Sequence, residues 1–170
     1  MPIIETKNVV GGPFESSSVV ETVNGFPRGD KAVDAAFIAS MVSCFISDGI
    51  FPNPADSFKV SPGDGLTVSV SPGYAWAKGY MARLDEALSF DVTPGYQYTV
   101  FLRQNISSGE SSVMLFQGTA AGLPVRSKYV HDLILAEVTV TSAADAVTSG
   151  MILDKRSDSE VCGYITSKLI

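Results

Sequence analysis

The feature that most constrains the fold is a two-residue alternation of apolar and polar side chains, which begins near Phe58 and continues to Leu153. Alternation places every second side chain on the same face of a strand, so each run predicts a strand with one buried face. The runs are short and lie at 66–70, 74–77, 88–92, 97–102, 113–116, 134–140 and 151–153. Seven or eight such strands, separated by turn residues, predict a mainly β protein folded as an antiparallel β-sandwich or barrel.

A Pro-Gly pair recurs in the segments between these strands. It occurs in Val60-Ser61-Pro62-Gly63, Val70-Ser71-Pro72-Gly73 and Val92-Thr93-Pro94-Gly95. Proline presets φ at the second position of a turn, and glycine accepts the positive φ that a type II turn requires at the third position. The sequence therefore predicts three type II turns between strands rather than a binding motif.

One N-terminal helix is predicted between about Lys31 and Asp48, because the spacing of its apolar residues is helical. These residues share one face: Val33, Phe37, Met41, Cys44 and Phe45. Such a stripe is typical of a packing face rather than of a ligand-binding site. It packs against the sheet or against a second copy of the chain, and in the second case Val33, Phe37, Met41 and Phe45 are possible oligomer contacts.

Capping residues support the limits of this helix. Asp30 can accept a hydrogen bond from a backbone N–H at the start, and Asp34 favours the positive first turn. Gly49 suits the left-handed position just past the end, and Pro52 prevents the helix from resuming. Three segments follow: an N-terminal arm at 1–29, a helix and linker at 30–57, and a β-sandwich domain at 58–170.

Composition excludes several partners. Apolar residues make up 45% of the chain, charged residues only 18%, and the net charge is −6. No Lys/Arg cluster offers a footprint for nucleic acid. The most apolar stretch, 35–46, is too short to cross a bilayer, so no membrane insertion is expected. The low charge fits either a surface covered by a partner or a thick sandwich core.

The sequence contains no recognisable catalytic centre. His131 is the only histidine, lies beside Asp132, and is interpreted as a surface or strand-edge residue. Nucleophilic catalysis needs a serine or cysteine brought together with a histidine and a carboxylate, and no motif places them so. Cys44 and Cys162 are far apart in the chain and are expected to be free thiols rather than a metal pair or a disulfide. The protein is therefore expected to be non-enzymatic and without a cofactor.

An acidic cluster near the C-terminus is a first candidate binding site. Asp154, Asp158 and Glu160 could in principle hold a hard cation through oxygen ligands, although Lys155 and Arg156 between them favour a salt-bridged loop.

Tyr74, Trp76 and Tyr80 could contact a glycan or a protein partner, since aromatic rings stack on sugars and fill interface pockets. Burial in the core is the preferred interpretation of these aromatics. A lectin-like module for host-surface glycan is the alternative.

Several short runs, taken in order, resemble small phage and prophage tail proteins, similar to the N-terminal modules of baseplate upper proteins and receptor-binding-protein adaptors. They are NG at 24–25, FISDGIF at 45–51, FKV at 58–60, GLTV at 65–68, VSPGYAWAKGY at 70–80, LAEV at 135–138, DKR at 154–156 and CGYI at 162–165. The chain departs from the family pattern at 26–30, where Arg and Tyr usually precede the helix. It departs again at 96–103, where an arginine-aspartate step is usual.

This resemblance implies a structural connector in a virion tail or baseplate, made in the bacterial host cytoplasm. It implies assembly into a symmetric organelle, with a trimer favoured, and contacts with other tail or receptor-binding proteins. Related proteins carry a further C-terminal host-binding part, which is expected to be absent here because the chain stops at Ile170.

Overall fold

The structure is a computed structural model that describes residues 3–12, 22–23, 26–27, 35–119 and 122–169. Its elements, in chain order, are β1 (Ile3–Gly12), β2 (Thr22–Val23), β3 (Phe26–Pro27), α1 (Ala35–Phe45), β4 (Gly49–Ile50), β5 (Val60–Pro62), β6 (Thr67–Val70), β7 (Gly73–Ala77), β8 (Tyr80–Leu84), β9 (Leu88–Asp91), β10 (Gln97–Asn105), β11 (Ser111–Gln117), β12 (Val130–Thr139), a 3₁₀ turn (Ser149–Met151) and β13 (Ile152–Asp154).

Two sheets and one helix make up most of the described chain. The larger sheet has eight strands in the order β13-β12-β10-β11-β1-β8-β7-β4, and the smaller has three in the order β5-β6-β9. Strand neighbours pair antiparallel throughout both sheets. The sheets do not close into a barrel. The prediction of a mainly β, sandwich-like fold with one N-terminal helix is confirmed, although β1 precedes this helix in the chain and belongs to the larger sheet.

The main core lies between the two sheets, where the inward faces of both are apolar. Its buried side chains include Val60, Val68, Val70 and Phe90 from the smaller sheet and Val100, Leu102, Val113, Leu115, Leu133 and Leu135 from the larger. A second, smaller cluster on the opposite face of the larger sheet consists of Phe101, Phe116 and Ile134. Strands β10 and β12 are therefore buried on both faces, because alternate residues of each strand enter different clusters.

The first ten described residues correct the expectation of an N-terminal arm at 1–29. Strand β1 pairs with β11 along most of its length and with β8 at its end, and it lies inside the larger sheet. The sequence of this strand carries little apolar alternation, so its place depends on the hydrogen bonds offered by two distant strands. Apart from 22–23 and 26–27, the rest of the expected arm lies outside the described residues.

The structure tests one of the two predicted helix ends and revises it. Asp30 and Asp34, the expected capping residues, lie outside the described residues. Gly49 does not follow the helix end directly, since α1 ends at Phe45 and Gly49 pairs with Trp76 in the sheet. A Cβ at Gly49 would meet the carbonyl oxygen of Gly163 at 2.5 Å. Glycine is therefore needed there because the C-terminal segment approaches closely, not because it ends the helix.

The three Pro-Gly pairs do not share one conformation. Gly95 has the positive φ of +85° that the prediction requires. Gly63 and Gly73 are absent from the positive-φ residues, so the prediction of type II turns is wrong for these two. At Gly73 an added Cβ would overlap Ser57, which shows that close packing selects glycine there. The turn between β5 and β6 instead uses Gly65, whose φ is +61°.

The C-terminal segment lies along α1 and β4. Ser47 donates its backbone N–H to Thr166 at 2.9 Å, and Ile50 donates to Gly163 at 2.9 Å. The backbone N–H of Lys168 donates to the carbonyl of Phe45 at 2.7 Å. These bonds hold the C-terminal end of the helix against the sheet. Within the described chain, no helix has both the length and the hydropathy needed to span a bilayer.

Candidate functional site

The three aromatic residues singled out in the sequence occupy different environments. Trp76 is buried in β7, as the preferred interpretation held for the group. The hydroxyl of Tyr80 donates to the carbonyl oxygen of Ile106 at 2.8 Å, and its ring is partly buried. Tyr74 is 40% exposed, so the preferred interpretation of burial in the core is wrong for this residue. Of these rings, only that of Tyr74 is substantially exposed to a partner, so the structure does not bring the three together as one flat platform.

The predicted apolar stripe of the helix is described only in part. Val33 lies outside the described residues, and for Phe37 only the backbone, within α1, is described. Met41 is 40% exposed and Phe45 is 43% exposed. Cys44 is also exposed, and Cys162 is buried; neither forms a disulfide. The described end of the stripe therefore faces away from the core.

The acidic cluster near the C-terminus is used internally. Asp154 accepts hydrogen bonds from Nε of Arg156 at 3.0 Å and from Nη2 at 2.7 Å. Nη1 of the same arginine donates to the carbonyl of Ser57 at 2.9 Å. Asp158 accepts the backbone N–H of Glu160 at 3.1 Å. Across the described ranges no three His, Cys, Asp or Glu residues are grouped as metal ligands.

His131 is not the surface or edge residue that the sequence suggested. It is 4% exposed and lies in β12, paired with Gln104 on β10 and bridged on its other side to Arg126. Alternation along β12 puts it on the same face as Leu133, at the end of the main core. The interpretation was wrong because burial depends on which strands lie beside β12.

A cleft of about 360 Å³ opens beside His131, and we refer to it as the His131 cleft. It is lined by Asp48, Lys78, Arg126, Ser127, His131, Ser159 and Cys162. These residues come from four separate parts of the chain. Because the bridge between Arg126 and His131 is antiparallel, their side chains start from directly opposed positions and share a face.

Within the described residues, the buried ring of His131 makes no hydrogen bond. Neither Nδ1 nor Nε2 has a partner among the residues that the structure describes. Nε2 lies 3.9 Å from Oδ2 of Asp48, which is beyond hydrogen-bonding distance. Buried polar side chains are bonded in the great majority of cases, so an unbonded buried imidazole needs an explanation.

Asp48 and Lys78 form a fixed ion pair at one side of the cleft. Nζ of Lys78 lies 2.8 Å from Oδ2 of Asp48, and the backbone N–H of Lys78 donates to Oδ1 at 3.0 Å. Lys78 has φ +51° and Gly79 has φ +92°, the two positive values of a type I′ turn between β7 and β8. A lysine rarely takes this conformation, and the Asp48 carboxylate stabilises it here.

Arg126 contributes a second cation on the other side. Its backbone position is fixed, because Val125 donates its N–H to Oδ2 of Asp132 at 2.9 Å and Ser127 donates its N–H to the carbonyl of Val130 at 2.8 Å. Three other described arginines are paired with carboxylates: Arg83, Arg103 and Arg156. Arg126 has no carboxylate within ion-pair distance in the part of the chain that the structure describes.

The electrostatics of the cleft follow from burial and from these charges. Burial lowers the pKa of His131 below its ordinary 6.5; the Asp48 carboxylate opposes this effect, and Arg126 and Lys78 add to it. Burial alone would raise the pKa of Asp48, but the hydrogen bonds and charge of Lys78 outweigh it, so this pKa is lowered. Burial raises the pKa of the Cys162 thiol to about 12. At neutral pH the imidazole and the thiol are therefore uncharged.

Sequence reasoning missed Asp48, Lys78 and Arg126. The pair Lys78-Gly79 between two alternating runs is a hairpin signal that would have placed Lys78 in a turn. Nothing in the sequence relates that turn to Asp48 or Arg126.

Comparisons with protein-family profiles, with curated proteins and with solved structures gave no match for this chain. What the structure itself shows is the class of protein: a mainly β, sandwich-like protein with a small polar cleft and an exposed apolar helix.

Proposed function

We propose that this protein is a non-enzymatic structural connector of a phage or prophage tail or baseplate. In this proposal it assembles as a homo-oligomer, with a trimer favoured, and binds other tail or receptor-binding proteins in the virion. The sequence resemblance suggests the setting. The exposed apolar surface of α1 is the observation that carries the proposal.

Helix α1 has the surface of an interface helix. Its eleven residues, AAFIASMVSCF, include no charged side chain. None of the side chains described in it, from residue 38 to residue 45, is buried in this chain. A helix that covers the surface of a monomer normally carries charged residues on its outer face. An uncharged and unburied helix is better explained by a partner that covers it.

The geometry of the helix indicates which face is free. A Cβ at Gly79 would lie 2.7 Å from Cβ of Ala39, so the Ala39 face rests on the turn between β7 and β8. Met41 is rotated from Ala39 by about 200° and Phe45 by about 240°, at roughly 100° per residue. Met41 and Phe45 therefore point away from the protein's own sheet.

A second copy of the chain is a suitable occupant of this face. The protein carries a net charge of −6, which opposes self-association through charged surfaces. An uncharged helix brings no like charges into direct contact at the interface. The C-terminal segment also fixes the helix, since Lys168 donates its Nζ to the carbonyl of Ser43 at 2.8 Å. The face is thus presented in one orientation, as a closed symmetric contact requires.

Light scattering coupled to size exclusion tests this proposal. The wild type should have the mass of an oligomer, and the double variant Met41→Lys/Phe45→Lys should shift to a monomer. Tyr96→Lys is the matched control, because Tyr96 is also an exposed large side chain but lies in the turn before β10. A wild type that stays monomeric at all concentrations would exclude the homo-oligomer. Neighbouring genes for tail, tape-measure and lysis proteins would support the tail setting, and an unrelated neighbourhood would count against it.

The glycan-binding alternative has less support. Trp76 is buried and the Tyr80 hydroxyl is bonded within the chain, which leaves Tyr74 as the one exposed ring of the three. A glycan array with the wild type and with Tyr74→Ala tests this alternative directly. Binding that Tyr74→Ala removes would favour it over the connector.

A further inference from the structure

The His131 cleft contains two features that the connector proposal does not use. Among the described residues, the buried imidazole of His131 has no hydrogen-bond partner and the exposed Arg126 has no ion-pair partner. They are opposed across an antiparallel bridge and face the same space. The hydrogen-bonding capacity of the buried imidazole is unused within the described chain. The guanidinium of Arg126 is exposed at the mouth of the cleft and is free to meet a ligand there.

We propose that the His131 cleft binds a small ligand through an oxyanion group, either a carboxylate or a phosphate monoester, with Arg126 and His131 as the donors. This function goes beyond that of a structural connector and does not depend on it.

The charges of the cleft favour an anion. Asp48 is the one carboxylate among the lining residues, and Lys78 already neutralises it at 2.8 Å. Arg126 then remains as an excess positive charge on a protein whose net charge is −6. A guanidinium presents a planar fork of N–H groups that matches a carboxylate or phosphate in bidentate geometry. The same two cations disfavour a divalent metal ion in this space.

The hydrogen-bonding groups also fit an oxyanion. A neutral imidazole has one N–H donor and one acceptor nitrogen, and the donor can face the anion. The side-chain oxygen of Ser127 accepts backbone N–H groups from Tyr129 and Val130, both at 3.1 Å, so its own O–H is available to donate. Ser159 supplies another hydroxyl at the rim. Hydroxyl or amino groups elsewhere on the ligand can donate to the outer lone pairs of Asp48.

The volume limits the ligand. About 360 Å³ lies at the lower end of the range for small-molecule sites, which suits a phosphorylated or carboxylated monosaccharide rather than a long chain.

Binding should be linked to the protonation of His131. The titratable and charged groups that face its ring are Asp48, Lys78, Arg126 and Cys162, while Asp132 lies on the opposite face of β12. A bound anion stabilises the imidazolium ion, so binding raises the pKa of His131 and becomes tighter as the pH falls.

Nuclear magnetic resonance of the imidazole tests the proposal, because His131 is the only histidine and its ring signals are therefore assigned without ambiguity. Sodium phosphate, glucose 6-phosphate, glucuronate and glucose are titrated separately at constant ionic strength. We expect a saturable shift with at least one of the three anions and none with glucose. The inorganic phosphate, ester and carboxylate titrations show which oxyanion is preferred. With glucuronate, whose carboxyl does not titrate in this range, binding should be tighter at about pH 5.5 than at about pH 7.5.

Two arginine variants complete the experiment. Arg126→Gln should weaken the binding of the preferred anion by about tenfold, since a charge-assisted pair is lost. Arg83→Gln is the matched control, because Arg83 is an exposed arginine outside the cleft, and it should leave binding unchanged. The proposal fails if none of the anions gives a saturable shift. It also fails if glucose gives the same shift, or if Arg126→Gln binds as tightly as the wild type.

Discussion

His131 and Asp132 are neighbours on β12, and both are almost completely buried, yet their surroundings are opposite. Asp132 accepts hydrogen bonds from Nε and Nη2 of Arg103, both at 2.8 Å, and from the backbone N–H of Val125 at 2.9 Å. His131 has no hydrogen bond within the described chain. Alternation sends the two side chains to opposite faces of the sheet, so neither one orients the other.

The difference separates a structural role from a functional one. Burying a charge costs free energy unless it is paired and hydrogen-bonded, and Asp132 meets both conditions. Burying an unbonded imidazole has a cost that the described chain does not offset. Asp132 is therefore explained by the stability of the fold. His131 is better explained by something that binds in the cleft.

The largest effect is expected from Arg103→Leu. This change leaves the Asp132 carboxylate, which is 0% exposed, without its ion-pair partner. We expect the free energy of unfolding to fall by about 3 kcal/mol or more, measured by urea denaturation. Arg83→Leu, which breaks an exposed pair with Asp85, should cost less than about 1 kcal/mol. Equal losses in the two variants would show that burial of Asp132 does not set the cost.

A smaller loss is expected from Arg156→Leu. Here the partner carboxylate of Asp154 is 43% exposed and can be hydrated once the arginine is gone. The carbonyl oxygen of Ser57 still loses a donor. We expect a loss of about 2 kcal/mol in the same urea experiment. A loss larger than that of Arg103→Leu would contradict the role given to carboxylate burial.

His131→Leu should have little effect on stability. Leucine has a comparable volume and removes an unbonded polar group from the end of the core. We expect a change within about 1 kcal/mol of wild type, in either direction, by urea denaturation. The same variant should lose the pH dependence described next. A loss as large as that of Arg103→Leu would contradict the functional interpretation of His131, because His131 would then support the fold as Asp132 does.

The smallest effect is a pH dependence of stability. Burial lowers the pKa of His131 below 6.5 in the folded protein, so the unfolded chain binds its proton more readily. Stability should therefore fall as the pH drops below about 6.5, the unfolded value, and the loss stops growing once the folded pKa is passed. Thermal or urea unfolding of the wild type and His131→Leu across this range measures the difference. Parallel curves would show that His131 does not contribute.

The sequence was informative where the signal is local. Leu66, Val68 and Val70 alternate with polar residues, and the strand that they predict is present as β6. The helical spacing of Met41 and Phe45 likewise predicted α1. Local periodicity works because it reflects which side chains share a face of one element. The prediction of type II turns from Pro-Gly pairs failed at Gly63 and Gly73, since such a pair is compatible with more than one backbone path.

From the sequence alone we could derive the mainly β class, the N-terminal helix and the lack of a recognisable catalytic motif. Only the tertiary structure decided that β1 lies inside the larger sheet and that His131 is buried. It also decided that Asp48, Lys78 and Arg126 surround one cleft. The physical reason is that these positions are far apart in the chain and meet only through the order in which the strands pair. That order is set by long-range hydrogen bonds and core packing, which no local pattern of residues encodes.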